Sequence, residues 1–448
     1  MAAREAGATP PEGGSKATAA ISRRELALLL AAAGALQLIV WVLVYQVLVA
    51  NGWGYVPWLG SDTAMYADRG LRVMGGQWPY TEFAYEYPPL SLLFFLAPPL
   101  KSTLAAFHAW FGAQMIAVDV ITAILTTAAA TRIWPGMVRP LAAAAAFAVA
   151  VAAAGAVAID RFDGAVALVV AVVVLCIVTQ RPVLGGLATG LGFALKLTPI
   201  VLLPLVLLRA GTRRTAWWAA AAGLAAAVLP WIPFLAHDPS GVRRNFLGMQ
   251  VGRGLHIESV AASPYLVAQA LRGDAVHIVL PSASLTIDGP GIGVVAALAP
   301  FTTLVILVVV YGVVWSRRRD LAGSLEPVPC IALAAMLATL CGNKVLSPQH
   351  LLWILPLVAL CLAGRPVLPK VAGGLLLCAL VLTQIEYPGM YWDQVDLATP
   401  ALLVIAARNA LLVATFVVAV VALRRSWGAP GPAEGDSAIL RGRGRPPG

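Results

Sequence analysis

The sequence predicts an all-α polytopic membrane protein of about twelve transmembrane helices, with amphipathic helices in its outer-face loops. Three observations lead there. Of the 448 residues, 60% are hydrophobic and only 12% are charged, and the mean hydropathy is +0.83, which excludes an ordinary soluble globular protein. Apolar runs of roughly 15 to 28 residues recur along the chain, punctuated by Arg clusters or by Pro and Gly. The charge is also sorted by side, as counted below.

Taken in order, residues 1–22 are rich in Ala, Gly, Pro and Ser and are expected to be a disordered cytoplasmic tail. Arg23 and Arg24 place the start of the first span, about 26–50, on the inside. No signal-peptide cleavage site stands out, so this span is expected to be retained. Further spans are read at about 104–131, 141–159, 164–180, 183–197, 199–209, 214–236, 291–315, 327–345, 349–364, 369–385 and 399–423. The 183–209 region reads either as one kinked span or as a pair of half-helices around Pro199. Residues 23–427 thus form the transmembrane unit, with long outer loops at 51–103 and 237–290. A second disordered cytoplasmic tail, 428–448, carries Arg441, Arg443 and Arg445.

With that topology, cytoplasmic ends and tails hold 20 of the 31 Lys and Arg but 7 of the 21 Asp and Glu; outer segments hold 10 basic and 13 acidic residues. That is the positive-inside pattern, and it accounts for the net charge of +10 without nucleic acid. The five cysteines all lie in apolar runs without metal-ligand spacing and read as buried or lipid-facing residues. Two charges, Asp119 and Arg408, fall inside spans. Each is costly alone in hydrocarbon, so a structural ion pair between them is the expectation.

The polar mass lies in the outer segments. In the first loop Asp62, Met65, Tyr66 and Arg69 share one helical face, and Asp68 can meet Arg72 at i+4. Such a helix is either an amphipathic surface element with solvated charges or a holder for a polar substrate. Glu82, Tyr85, Glu86 and Tyr87 follow, and the run from Pro88 to Leu100 reads as an interfacial helix. The turn Asp160-Arg161-Phe162-Asp163 is a solvated hairpin or a set of groups that orients sugar hydroxyls. Lys196, beside the helix-breaking Pro199, needs an anion or a cavity. Gly252-Arg253-Gly254-Leu255-His256-Ile257-Glu258-Ser259 suggests backbone held close to a ligand. Ser347 and Pro348 suit a helix start that puts His350 in its first turn; this is either an anion site completed by Lys344 or a simple helix start with an interfacial histidine. His108, His237 and His277 have no such company and read as interfacial or packing residues. There is no sequence repeat, P-loop, dinucleotide fingerprint or nucleophile elbow.

At these residues the chain resembles a known family. The pattern Asp62, Tyr66, Gly76, Tyr80 and Tyr87-Pro88-Pro89-Leu90 is similar to the first outer loop of GT-C-type membrane glycosyltransferases. More narrowly it resembles family 87, the actinobacterial polyprenol-phosphate-mannose-dependent mannosyltransferases of the cell envelope. The likeness continues through Gly190 to Pro199, Arg253 to Ser259 and Ser347 to Trp353, and covers about residues 25–425. One histidine follows Ser347-Pro348, where some relatives have a Trp and a His.

The resemblance implies a GT-C-like bundle in the plasma membrane and inverting transfer of a hexose from a polyprenyl-phosphate donor to a lipid-linked glycan acceptor on the outer face. It implies Asp62 as catalytic base and His350 as a donor-phosphate contact. The chemistry agrees: one carboxylate must deprotonate the acceptor hydroxyl, and Lys196, Arg253, Lys344 and His350 could receive the departing phosphate. Tyr66, Arg69, Glu86, Tyr87, Arg161, Asp163, His256 and Glu258 are the expected substrate contacts. No nucleotide, metal or other cofactor is required. The rival reading is a secondary transporter or flippase, which broken helices and intramembrane charges would also fit. A structural subunit of an envelope complex is a third.

Overall fold

The computed structural model describes residues 21–50, 62–273, 276–279 and 285–425. The expected tails, apart from residues 21 and 22, and the start of the first loop at 51–61 lie outside the described residues. The chain is a bundle of apolar helices. The elements used below are α1 (Arg23–Ala50), α2 (Thr63–Met74), α3 (Leu104–Ile133), α4 (Val138–Ala154), α5 (Gly164–Val178), α6 (Pro182–Lys196) and α7 (Leu203–Leu208). They continue with α8 (Arg213–Val228), α9 (Ser263–Arg272), α10 (Ile292–Ser316), α11 (Val328–Gly342), α12 (Leu355–Ala363), α13 (Val367–Gln384) and α14 (Thr399–Arg424). Among the described residues, α1, α3, α8 with its extension to His237, α10, α13 and α14 are long and apolar enough to cross a membrane, and six shorter apolar helices lie between them. The protein is a multi-pass membrane protein, with the helices where the hydropathy put them.

The short helices shape the functional end. α5, α6 and α11 have 15 residues each, about 22 Å at 1.5 Å per residue, less than the ~30 Å of a hydrocarbon core. α5 begins after Asp163, α6 stops at Lys196, and α11 stops just before Asn343 and Lys344. Charged residues therefore sit at the mouths of truncated helices, which leaves a recess inside the bundle. The connections that carry the arginine clusters meet at the other end. There Arg139 Nη1 donates to the Ala363 carbonyl at 2.9 Å, Arg209 Nη2 to Ser324 O at 2.9 Å, and Trp134 Nε1 to Glu326 at 3.0 Å.

The 183–209 region is a pair of helical pieces. α6 ends at Leu197, whose φ of +52° is in the left-handed region that a branched side chain avoids, and a 3₁₀ turn from Thr198 to Leu202 leads into α7. α6 is held against α8 by backbone contact. A Cβ on Gly186 would strike the Ala219 carbonyl, and one on Gly190 the Gly223 carbonyl. Two four-residue small-residue spacings face each other, the arrangement that drives helix association in lipid.

Three expectations change. Arg408 does not pair with Asp119: it is engaged by Glu258 and Glu386, while Asp119 is buried facing Trp41. The run 88–100 is not one interfacial helix. It is a 3₁₀ turn, Pro89–Ser91, and one helical turn, Leu92–Leu96, which point Phe95 into an aromatic core and leave Leu93 exposed. Within the all-α fold, the second loop is also not purely helical. In the second loop β1 (Leu255–His256), β2 (His277–Val279) and β3 (Thr286–Asp288) form a small antiparallel sheet in the order β1-β3-β2, with Ile287 opposite both Leu255 and Ile278.

Candidate active site

A cavity of about 420 Å³ opens at the recessed end. Its wall draws on α2, the 155–163 turn, the α6–α7 break, the second loop, the 343–350 connection and the segment after α13.

Asp62 stands at the N-terminus of α2, a position where aspartate ordinarily accepts hydrogen bonds from the first-turn amides. Its side chain makes no such cap. The carboxylate is turned into the cavity, where Oδ1 lies 2.6 Å from Arg161 Nη1. Among the described residues, Oδ2 takes only a long 3.4 Å bond from the Tyr66 hydroxyl. Arg161 is almost wholly buried and also donates from Nη2 to the Tyr387 hydroxyl at 3.0 Å. The 160–163 turn is therefore no solvated hairpin, since all four of its residues are buried. Burial pushes the Asp160 carboxyl up to about 7 against the opposing pull of Arg161, and Asp62 adds to the rise.

Lys196 finds its anion within the protein. Its Nζ lies 3.2 Å from Asp163 Oδ1 and sits over the rings of Phe162 and Tyr87, at 4.5 Å and 4.9 Å from their centroids. Asp163 Oδ1 also accepts the Trp353 indole N–H at 2.7 Å. On the opposite wall, Lys344 donates to the Val251 carbonyl at 2.7 Å. Among the described residues, neither Lys344 nor Arg253 has a carboxylate within ion-pair distance. Those two are the cavity cations left without a carboxylate partner among the described residues.

His350 lies in a 3₁₀ helix, Pro348–Ile354, where the sequence suggested an α-helical first turn. Its Nδ1 accepts the Ser347 backbone N–H at 3.3 Å, so a neutral ring carries its proton on Nε2. Its ring packs on Trp353, 4.4 Å between centroids.

The second loop is pinned over this cavity. The His256 amide donates to the Lys344 carbonyl at 2.9 Å, and Gln250 Nε2 donates to the Glu86 carbonyl at 3.0 Å. Arg408 Nη1 reaches Glu386 at 2.6 Å and Glu258 at 3.2 Å. Burial lowers His256 to about 4, so it acts as a neutral ring. Burial, and then the neighbouring Glu386, push the Glu258 carboxyl up.

Of the residues singled out from the sequence, the structure brings Asp62, Glu86, Tyr87, Arg161, Lys196, Arg253, His256, Glu258, Lys344 and His350 to this one cavity. Three others are corrected. Tyr66 is fully buried, stacked on Phe95 at 4.3 Å, and reaches the cavity only through its hydroxyl on Asp62. Arg69 is occupied by Glu86 at 2.7 Å and Asp68 at 2.8 Å. Asp163 lies beneath the wall, holding Lys196 and Trp353. These three support the site and do not line it. Sequence reasoning missed Gln250, Tyr387, Tyr391 and Trp353 in the wall. The aromatic, acidic composition of 386–396, between two apolar runs, was the available signal for the two tyrosines.

The family model for glycosyltransferase family 87 matches residues 85–348, more than half of the chain. The matched segment contains Arg161, Lys196, Arg253 and Lys344, while Asp62 and His350 lie beyond its ends. No curated protein matches the chain. Among solved structures, the crystal structure of ArnT from Cupriavidus metallidurans bound to undecaprenyl phosphate is similar at 15% sequence identity, with a TM-score of 0.48, covering 89% of this chain and 77% of that one.

Proposed function

The chain belongs to glycosyltransferase family 87, and from that premise we propose that it transfers a hexose, mannose foremost, from a polyprenyl-phosphate donor to a lipid-linked glycan. In this reading residues 23–427 are one catalytic unit, both termini are cytoplasmic, and the recessed end faces outward across the plasma membrane. The observation that carries it is the sharing of one cavity by the Asp62 carboxylate and two cations without a carboxylate partner among the described residues, Arg253 and Lys344.

The chemistry follows from that arrangement. An acceptor hydroxyl placed against Asp62 gives up its proton to the carboxylate as its oxygen attacks the anomeric carbon. The bond from that carbon to the phosphate oxygen breaks on the opposite face, so the configuration inverts. The electron pair leaves with the phosphate, whose growing charge meets Arg253, Lys344 and the Nε2–H of His350 without needing a proton donor. Lys196, already matched by Asp163, contributes less net charge and anchors the wall. Glu86 and Tyr87 are placed to accept or stack on sugar groups. Closure by the second loop excludes water, which would otherwise compete as acceptor.

The test is turnover by purified protein given a synthetic short-chain polyprenyl-phosphate mannose and a membrane lipid extract as acceptor. Formation of a glycolipid longer by one hexose supports the reading. Intact donor after prolonged incubation, with the protein folded, would refute it.

A further inference from the structure

Within that proposed reaction, we infer that Arg161 is a positioning residue: it clamps Asp62 Oδ1 and leaves Oδ2 as the oxygen that takes the acceptor proton. The inference rests on Asp62 being the base. Its grounds are geometric. A carboxylate at a helix start has two competing uses, capping the helix or serving the cavity, and free rotation would let it alternate between them. Here the cap is unmade and Oδ1 is held at 2.6 Å by a guanidinium that is itself buried.

Arg161 cannot drift, because it is gripped from a second element. Tyr387, after α13, accepts Nη2 at 3.0 Å and places its ring 5.6 Å from the guanidinium carbon. Oδ2 has, among the described residues, only the long 3.4 Å contact to Tyr66, so of the two oxygens on this cavity-lining residue it is the one left to take a proton. The other titratable groups facing the pair are Asp160 and Asp163 from the same turn, Lys196 from α6, Tyr66 from α2, Tyr87 from the first loop, and Tyr387 and Tyr391.

Clamping has two separable effects. The positive charge balances the carboxylate in the cavity wall. The fork geometry fixes direction, which a point charge on a flexible stem does not. Arg161→Lys keeps the first and loses the second; Arg161→Gln loses both.

The experiment measures kcat and donor KM for wild type, Arg161→Lys, Arg161→Gln, Tyr387→Phe and Asp62→Asn with the synthetic donor. Arg161→Lys should lose about tenfold or more in kcat with donor KM little changed. Arg161→Gln should lose more kcat than Arg161→Lys, because neither effect remains. Tyr387→Phe should lower kcat severalfold with donor KM unchanged. An inactive Asp62→Asn together with wild-type kcat in Arg161→Gln would overturn the inference alone; an active Asp62→Asn would overturn the assignment of the base as well. Should Arg161→Gln fail to fold, Arg161→Lys decides: kcat equal to wild type, or a loss confined to KM, overturns the positioning role.

Discussion

Arg408 holds Glu258 twice, once through a 3.2 Å ion pair from Nη1 to its carboxylate and once through a 2.6 Å hydrogen bond from Nη2 to its backbone carbonyl. The neighbouring Asn409 donates to that same carbonyl at 3.2 Å and to Ser259 O at 3.1 Å. The last helix therefore carries the second loop by its backbone as well as by a charge pair. Removing the guanidinium would leave the buried carboxylates of Glu258 and Glu386 without their cation, and the Glu258 carbonyl with the longer Asn409 bond in place of the shorter one. Arg408→Leu should destabilise the protein by about 3–5 kcal/mol, seen as early thermal unfolding in detergent. Glu386→Gln should cost far less, because Glu258 remains to face the arginine.

Asp62→Asn keeps the size of the side chain and removes its capacity to accept a proton. Transfer should fall by about 10²–10⁴-fold while expression and thermal stability stay close to wild type, as measured by product formation and melting of the purified protein. A variant that turns over normally would show that another group takes the proton.

Arg253 and Lys344 give a second prediction about rate. Arg253→Gln and Lys344→Met should each lower kcat by about 10²-fold, since each removes a preorganised donor from a developing charge. Lys196→Met should instead act through stability, because it strands Asp163 in a fully buried position. Comparing kcat with melting temperature in the three variants separates the two modes.

Asp160 supplies a pH dependence whose sign can be worked out. Its carboxyl is raised from an ordinary value near 3.8 to about 7 by burial, so the folded state holds its proton more tightly than the unfolded chain does. Its contribution to stability is fully present below pH 3.8 and is lost as pH rises through about 7. Asp160→Asn should remove that loss. The variant should gain stability relative to wild type at pH 8.5 compared with pH 5.5, read from melting curves at both.

The close approach of α6 and α8 predicts a purely structural failure. Gly190→Val would drive a branched side chain into the Gly223 carbonyl and cost about 1–3 kcal/mol or more, visible as lowered melting or poor insertion.

Most of this architecture was legible because hydropathy and the side preference of arginine act on every span, so the helix positions needed no knowledge of packing. The site was legible in part. Asp62, Arg253, Lys344 and His350 stand out as polar residues in an apolar chain, and the family resemblance gave Asp62 and His350 their expected roles. What the sequence could not convey was pairing. Tyr66 and Arg69 looked like surface groups on an amphipathic helix, but their partners, Phe95 and Glu86, lie beyond that helix in the chain and take them out of the cavity. Arg408 looked like a mate for Asp119 because both are charged and intramembrane. Its real partners, Glu258 and Glu386, come from two segments outside its own helix that no periodicity connects to it.

The bond from the Ser347 amide to His350 has an evolutionary corollary. The group that fixes the imidazole belongs to the main chain, so the serine hydroxyl can be exchanged for many others without releasing the ring. Proline alone among the twenty residues would delete that donor. A substitution here that keeps the amide therefore still presents the same nitrogen to a substrate.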